Sequence, residues 1–105
     1  MLLDRLWDLF TSHLFPLPTT GRLFNQYRDE DPEFDLPGAA AMRRGNLWNY
    51  LESFETPPTM LVVSEAPGYR GGRFSGIPLV SERMLVTGPT DGITGRPTSL
   101  GVPYT

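Results

Sequence analysis

Eleven prolines and eleven glycines are spread through 105 residues. Each proline removes a backbone donor and fixes φ, and each glycine weakens a helix or strand interior. The chain is therefore cut into short pieces. Four of these carry a readable apolar pattern. In residues 2–14, Leu2, Leu3, Leu6, Trp7, Leu9, Phe10 and Leu14 share one helical face, with Asp4, Arg5 and Asp8 opposite. Pro16 and Pro18 stop that helix near Leu14 or Phe15. Residues 39–54 predict a second helix from the spacing of Leu47, Trp48, Leu51 and Phe54, with Arg43, Arg44, Asn49 and Glu52 outside. Gly45 is unfavourable inside a helix, so a start at Asn46, a good N-cap residue, is the alternative. Thr59-Met60-Leu61-Val62-Val63 is a continuous apolar run of the kind expected in a strand buried on both faces. Residues 79–87 predict a short helix with Ser81-Glu82 near its start.

The remaining segments read as connectors. Residues 28–37 form a charged loop, expected to be solvated, whose acidic spacing matches no calcium loop. Gly88 to Thr105 shows no apolar period and reads as a loop or tail. The implied division is 1–20 (first helix and linker), 21–58 (helical segment), 59–87 (strand, loop and helix) and 88–105 (tail).

Several chemistries are excluded. The chain has no cysteine, which removes disulfides, thiol nucleophiles and cysteine-ligated metal clusters. It has one histidine, His13, on the polar edge of the first helix, which removes a multi-histidine metal site. All nine basic residues are arginine, and the net charge is −3, so binding of nucleic acid by bulk charge is not expected. Residues 1–60 hold five arginines against nine acids, and residues 61–105 hold four against three. A polyanion contact therefore suits the second part better. No stretch approaches about 18 uninterrupted apolar residues, and the N-terminus lacks the basic start of a secretory signal. A soluble, cytoplasmic protein is the expectation.

The chemistry is concentrated after the apolar run. A buried strand followed by the glycine-rich loop 64–78 and a helix describes part of an open α/β sheet, whose ligands sit at strand ends. Glycines let backbone N–H groups approach a ligand, and Pro67 stiffens the turn. Arg70 and Arg73 are candidates for phosphate, Tyr69 and Phe74 for stacking or packing, and Glu65 for a general base or a water-positioning group. The loop matches neither a Walker A loop, which needs a lysine, nor a dinucleotide fingerprint. Ser64 and Ser75 have no histidine pattern beside them, so a serine triad is unsupported.

Residues 60–82, Met-Leu-Val-Val-Ser-Glu-Ala-Pro-Gly-Tyr-Arg-Gly-Gly-Arg-Phe-Ser-Gly-Ile-Pro-Leu-Val-Ser-Glu, resemble the uracil-DNA glycosylase superfamily. The similarity is to the branch with Gly-Glu-Ala-Pro-Gly after a strand and Ser/Thr-Gly-x-Pro-Phe beyond it. Arg43-Arg44-Gly45-Asn46-Leu47 and Tyr50-Leu51 resemble the helix before that strand. The resemblance spans about residues 22–105. It implies a three-layer α/β/α fold with a central parallel sheet. It also implies hydrolysis of the N-glycosidic bond of uracil, or another damaged base, flipped out of DNA.

Carried over by position, Glu65, Ala66, Pro67 and Gly68 would form the pocket floor beside the scissile bond, with Glu65 binding the base through its backbone and helping to place water. Tyr69 is a further base-pocket candidate next to them. Gly76, Ile77, Pro78 and Leu79 would form the wall on which the base stacks, and Arg70 and Arg73 would meet DNA phosphate. No metal or other cofactor is implied, and the complete protein would be monomeric. Ser64 stands where the motif has Gly, Ala66 where some relatives carry a water-activating acid, and Leu79 where the motif has Phe. The family's second segment, His-Pro-Ser/Asn, has no counterpart in residues 1–105. The chain is therefore expected to be the N-terminal portion of such a domain, and inactive alone. The alternative is a non-catalytic DNA- or nucleotide-binding α/β module.

Overall fold

The computed structural model describes residues 2–64, 66–69, 71–87 and 93–101. Among these residues the α-helices are α1 (Leu2–Leu9), α2 (Ala39–Glu52), α3 (Gly72–Ser75) and α4 (Glu82–Thr87). A π turn, Phe10–Leu14, continues α1, and Phe15 N–H closes it on Phe10 O at 2.8 Å. Among the described residues there is no sheet. The strand-type pairing described is an isolated antiparallel bridge between Asp35 and Ser99. The expected α/β/α sandwich with a central parallel sheet is therefore overturned. So is the buried strand at 59–63: Met60, Leu61, Val62 and Val63 are 72–86% exposed. The physical reason is that a strand needs a partner backbone, and apolar character in one run supplies none.

α2 is the organising element, and it begins at Ala39 behind a left-handed Gly38 (φ 82°), not at Asn46. Its buried residues are Ala39, Ala40, Arg43, Asn46 and Leu47. That is a single face at helical spacing, but two of the five side chains are polar. Arg43, expected outside, is wholly buried. On another side of α2, Trp48 meets Trp7 of α1 edge to face, centroids 5.0 Å apart. Trp7 also meets Phe15 at 5.2 Å, and Phe15 meets Tyr27 at 5.3 Å. Asn25 closes the chain after the π turn. Its Nδ2 donates to the carbonyls of Leu14 (3.1 Å), Phe15 (3.2 Å) and Leu17 (2.7 Å).

The centre of the molecule is polar. The largest fully buried side chains are Arg43, Ile77, Asn46, Thr98 and Ser75. Arg43 Nη2 lies 2.6 Å from Asp35 Oδ1, and both side chains are fully enclosed. Arg43 Nη1 donates to Gln26 O at 2.8 Å, and Nε to Thr98 Oγ1 at 3.3 Å. Thr98 donates its hydroxyl to Phe74 O, and its N–H to Glu82 Oε2 at 2.9 Å. The described part of the C-terminal tail, residues 93–101, is thus irregular in backbone yet packed: Leu36 N–H donates to Thr98 O at 2.8 Å, and Leu100 N–H to Phe34 O at 2.7 Å. Asp35 likewise departs from the solvated connector expected for 28–37, because two guanidiniums hold it inside. Burial pushes its carboxyl up. The Asp31 N–H, Arg43 and Arg73 outweigh that and hold it below the ordinary value.

Gly45 sits in mid-α2, and a Cβ added there would meet nothing within 4 Å. Gly45→Ala is therefore expected to stabilise the chain by about 0.5–1 kcal/mol through helix propensity alone. A rise in the urea midpoint at unchanged slope would check it.

Candidate functional site

After the exposed, irregular run 60–64, the chain turns at Gly68: Gly71 N–H and Arg73 N–H both donate to Gly68 O, at 3.0 and 3.2 Å. The single turn of α3 follows. It ends at Gly76, which takes the left-handed conformation (φ 80°) and donates to Gly72 O at 2.9 Å. Ser75 Oγ lies 3.1 Å from Ile77 O, donates to Val80 O and accepts from Ile77 N–H at 3.0 Å. These bonds fold 75–80 into a tight loop. Its last corner places Leu79 at φ 62°, a conformation that a branched side chain rarely adopts.

The motif residues divide by burial. Gly76 is buried and Ile77 fully enclosed. Ala66, Pro67, Gly68, Tyr69, Pro78 and Leu79 are exposed, Tyr69 at 75% and Leu79 at 81%. The two halves meet across Gly72. A Cβ built on Gly72 would lie 3.2 Å from Ile77 O and 3.6 Å from the Pro67 Cβ. The floor segment 66–69 and the wall segment 76–79 are thus brought together, with Tyr69 and Leu79 both on the outside. Glu65 and Arg70 lie outside the described residues. Phe74, a candidate for stacking or packing, is buried edge-on to Phe34 at 6.5 Å.

Arg73 is engaged within the protein. Its Nη1 and Nη2 donate to the two Asp35 carboxylate oxygens at 3.2 and 3.3 Å. Its guanidinium also lies 4.3 Å from the Phe24 ring centre and 4.4 Å from that of Phe74. His13 is exposed in the π turn. Among the described residues no group of three acids or histidines is gathered to hold a metal ion, and no helix is long and apolar enough to cross a membrane.

Three side chains to which sequence reasoning gives no part in the loop hold it in place; for Asn46 that reasoning indicates only a helix residue or N-cap. Gln26 Nε2 donates to Gly72 O at 2.7 Å, Tyr27 Oη to Gly76 O at 2.6 Å, and Asn46 Nδ2 to Ser75 O at 2.8 Å. Each ties a carbonyl of the α3 region to a distant element, and none belongs to an apolar period that a sequence could display. Burial pushes the Tyr27 hydroxyl up to about 12, against smaller opposing effects of Gln26 and Arg43. The neutral phenol is therefore favoured by folding. Its contribution is complete below pH 10 and is lost as pH rises from 10 towards 12, on the order of 2–3 kcal/mol in all. Urea midpoints followed across that window should fall, and Tyr27→Phe, weaker at neutral pH, should converge on the parent protein by its upper end.

No family model, curated protein or solved structure matches the chain.

Proposed function

We propose that residues 66–69 and 76–79 form a uracil-binding loop of the uracil-DNA glycosylase type, presented to an extruded base in DNA. The observation that supports this reading is the meeting of the two motif segments across Gly72, where a Cβ would press on Ile77 O at 3.2 Å and touch the Pro67 Cβ at 3.6 Å. Tyr69 and Leu79 offer apolar surface to a flat ring, and the turn at Gly68 presents backbone to its polar edge. Glu65 and Arg70 carry the water-placing and phosphate roles in this reading. The loop supplies no imidazole to stabilise charge on a departing base, since the only histidine is His13. The 105 residues accordingly bind the base without turning it over.

A single-stranded oligonucleotide with one deoxyuridine, compared with its thymidine counterpart, tests this directly. The deoxyuridine strand should bind several-fold tighter, and Tyr69→Ala, a change at an exposed side chain, should erase the difference. Equal binding of the two strands would refute the reading. Repeated release of free uracil by these 105 residues would refute the separation of binding from turnover.

A further inference from the structure

The chain's two tryptophans, Trp7 and Trp48, line one groove of about 720 Å³ along α2, a volume suited to a small organic ligand. Two arginines, Arg44 and Arg96, line it as well. Among the described residues no acid lines it, and the carboxylate bonded to a lining side chain is that of Glu52, which accepts the Trp48 indole N–H at 2.9 Å. In a protein of net charge −3, that local balance selects for an anion.

The groove is built rather than incidental. Asn46 Nδ2 donates to Arg96 O at 2.9 Å, and its Oδ1 accepts Arg96 N–H at 2.8 Å. Asn49 Nδ2 donates to Thr94 O at 2.6 Å. Two asparagines of α2 thus stitch residues 94–96 along the helix and fix where Arg96 leaves the backbone. Arg44 is anchored by donating to Tyr27 O. Arg96 is exposed, and its guanidinium makes no hydrogen bond or ion pair with the described residues. Gly45 lines the groove too, and a Cβ there would stand in open space. The helix therefore carries an unfavourable residue where no neighbouring protein atom requires it, and the effect is to keep the groove wide.

We propose that this groove is a ligand site for a nucleotide unit, with a planar base against the tryptophan rings and its phosphate on Arg44 and Arg96. Both halves of such a ligand have a matching surface: indole for the ring and guanidinium for the phosphate. The site shares no lining residue with the 66–79 loop, which it meets through the Asn46 bond to Ser75 O, and does not rest on the uracil reading.

Because both tryptophans line the groove, fluorescence excited at 295 nm reports on it specifically. The full chain would be titrated with thymidine 5′-monophosphate, with uncharged thymidine and with an eight-residue thymidine oligonucleotide. The monophosphate should quench saturably, at least tenfold tighter than thymidine, and less tightly at high salt. Arg96→Ala should weaken it about tenfold. Gly45→Leu should abolish quenching with a urea midpoint no lower than that of the parent, which separates a filled groove from a damaged fold. Equal affinity per site for monophosphate and oligonucleotide would identify a free nucleotide as the ligand, and much tighter oligonucleotide binding would identify a strand. Absent quenching, quenching by thymidine equal to that by the monophosphate, or quenching unchanged by both variants would overturn the proposal. Tyr69→Ala should leave these titrations unchanged, so this site and the uracil loop can fail independently.

Discussion

Arg43→Met should destabilise the chain by about 3–5 kcal/mol, close to the whole stability of a weak domain of this size. The side chain has no exposed surface, and its guanidinium serves Asp35, Gln26 O and Thr98 Oγ1 together. Methionine fills much of the volume but satisfies none of these groups. Asp35 would keep Arg73 and the Asp31 N–H, at 2.8 Å. It would lose the partner that shares its enclosed position. Urea unfolding at neutral pH checks the size of the loss. The pairing itself is checked by Arg43→Met combined with Asp35→Leu, which should recover part of it, because removing both charges leaves neither uncompensated. A loss below about 1 kcal/mol for Arg43→Met would mean that the pair is open to water. The folded Asp35 carboxyl is held below its ordinary value, so its contribution is present at neutral pH and fades as pH falls below 3.8. Acid should therefore weaken the parent more than Asp35→Asn.

Gly76→Ala should be comparably damaging, by about 3 kcal/mol or more. Two effects add. The residue sits at φ 80°, where any side chain is strained. Its Cβ would also fall 2.7 Å from Arg43 O and 2.9 Å from the Arg43 Cα. Those are backbone atoms of α2 and cannot swing aside, so the contact between α2 and α3 must open. Opening it would stretch the Tyr27 bond to Gly76 O and the Asn46 bond to Ser75 O. The same chemical change at Gly45 is expected to stabilise. Measuring both variants in one urea series sets a clash with backbone against open space, and a loss at Gly76 no larger than about 1 kcal/mol would show that α3 can shift freely.

The helices were legible where apolar spacing was strong. The first helical pattern begins where α1 does and runs on through the π turn to Leu14. The second locates α2 within two residues of its C-terminal end. Its buried face was misread, because Ala39, Ala40, Arg43 and Asn46 are hidden by hydrogen bonds and close backbone approach rather than by hydropathy. Ser81 caps the start of α4 by accepting the Met84 N–H at 3.2 Å, as its position before Glu82 suggests. The strand at 59–63 failed for the opposite reason. Its residues have the right character, but a sheet is a property of neighbours, and among the described residues no second strand lies beside it.

Within the candidate site, the glycines and Pro67 were identifiable from composition. The residues that hold the loop, Gln26, Tyr27 and Asn46, act across separations of 46, 49 and 29 positions, which no local pattern encodes. Asp35 and Arg73 illustrate the same limit. Each reads as an exposed charge until the other, 38 positions away, is placed beside it.

The polar centre around Arg43, Asp35, Thr98 and Glu82 bears on how the protein responds to temperature. Heat capacity rises on unfolding mainly because apolar surface becomes hydrated, while newly wetted polar surface lowers it. A chain whose largest fully buried side chains are a guanidinium, a carboxamide and two hydroxyls beside a single isoleucine should show a small calorimetric increment for its length. Its stability should then vary little between cold and warm conditions, with a broad, shallow maximum.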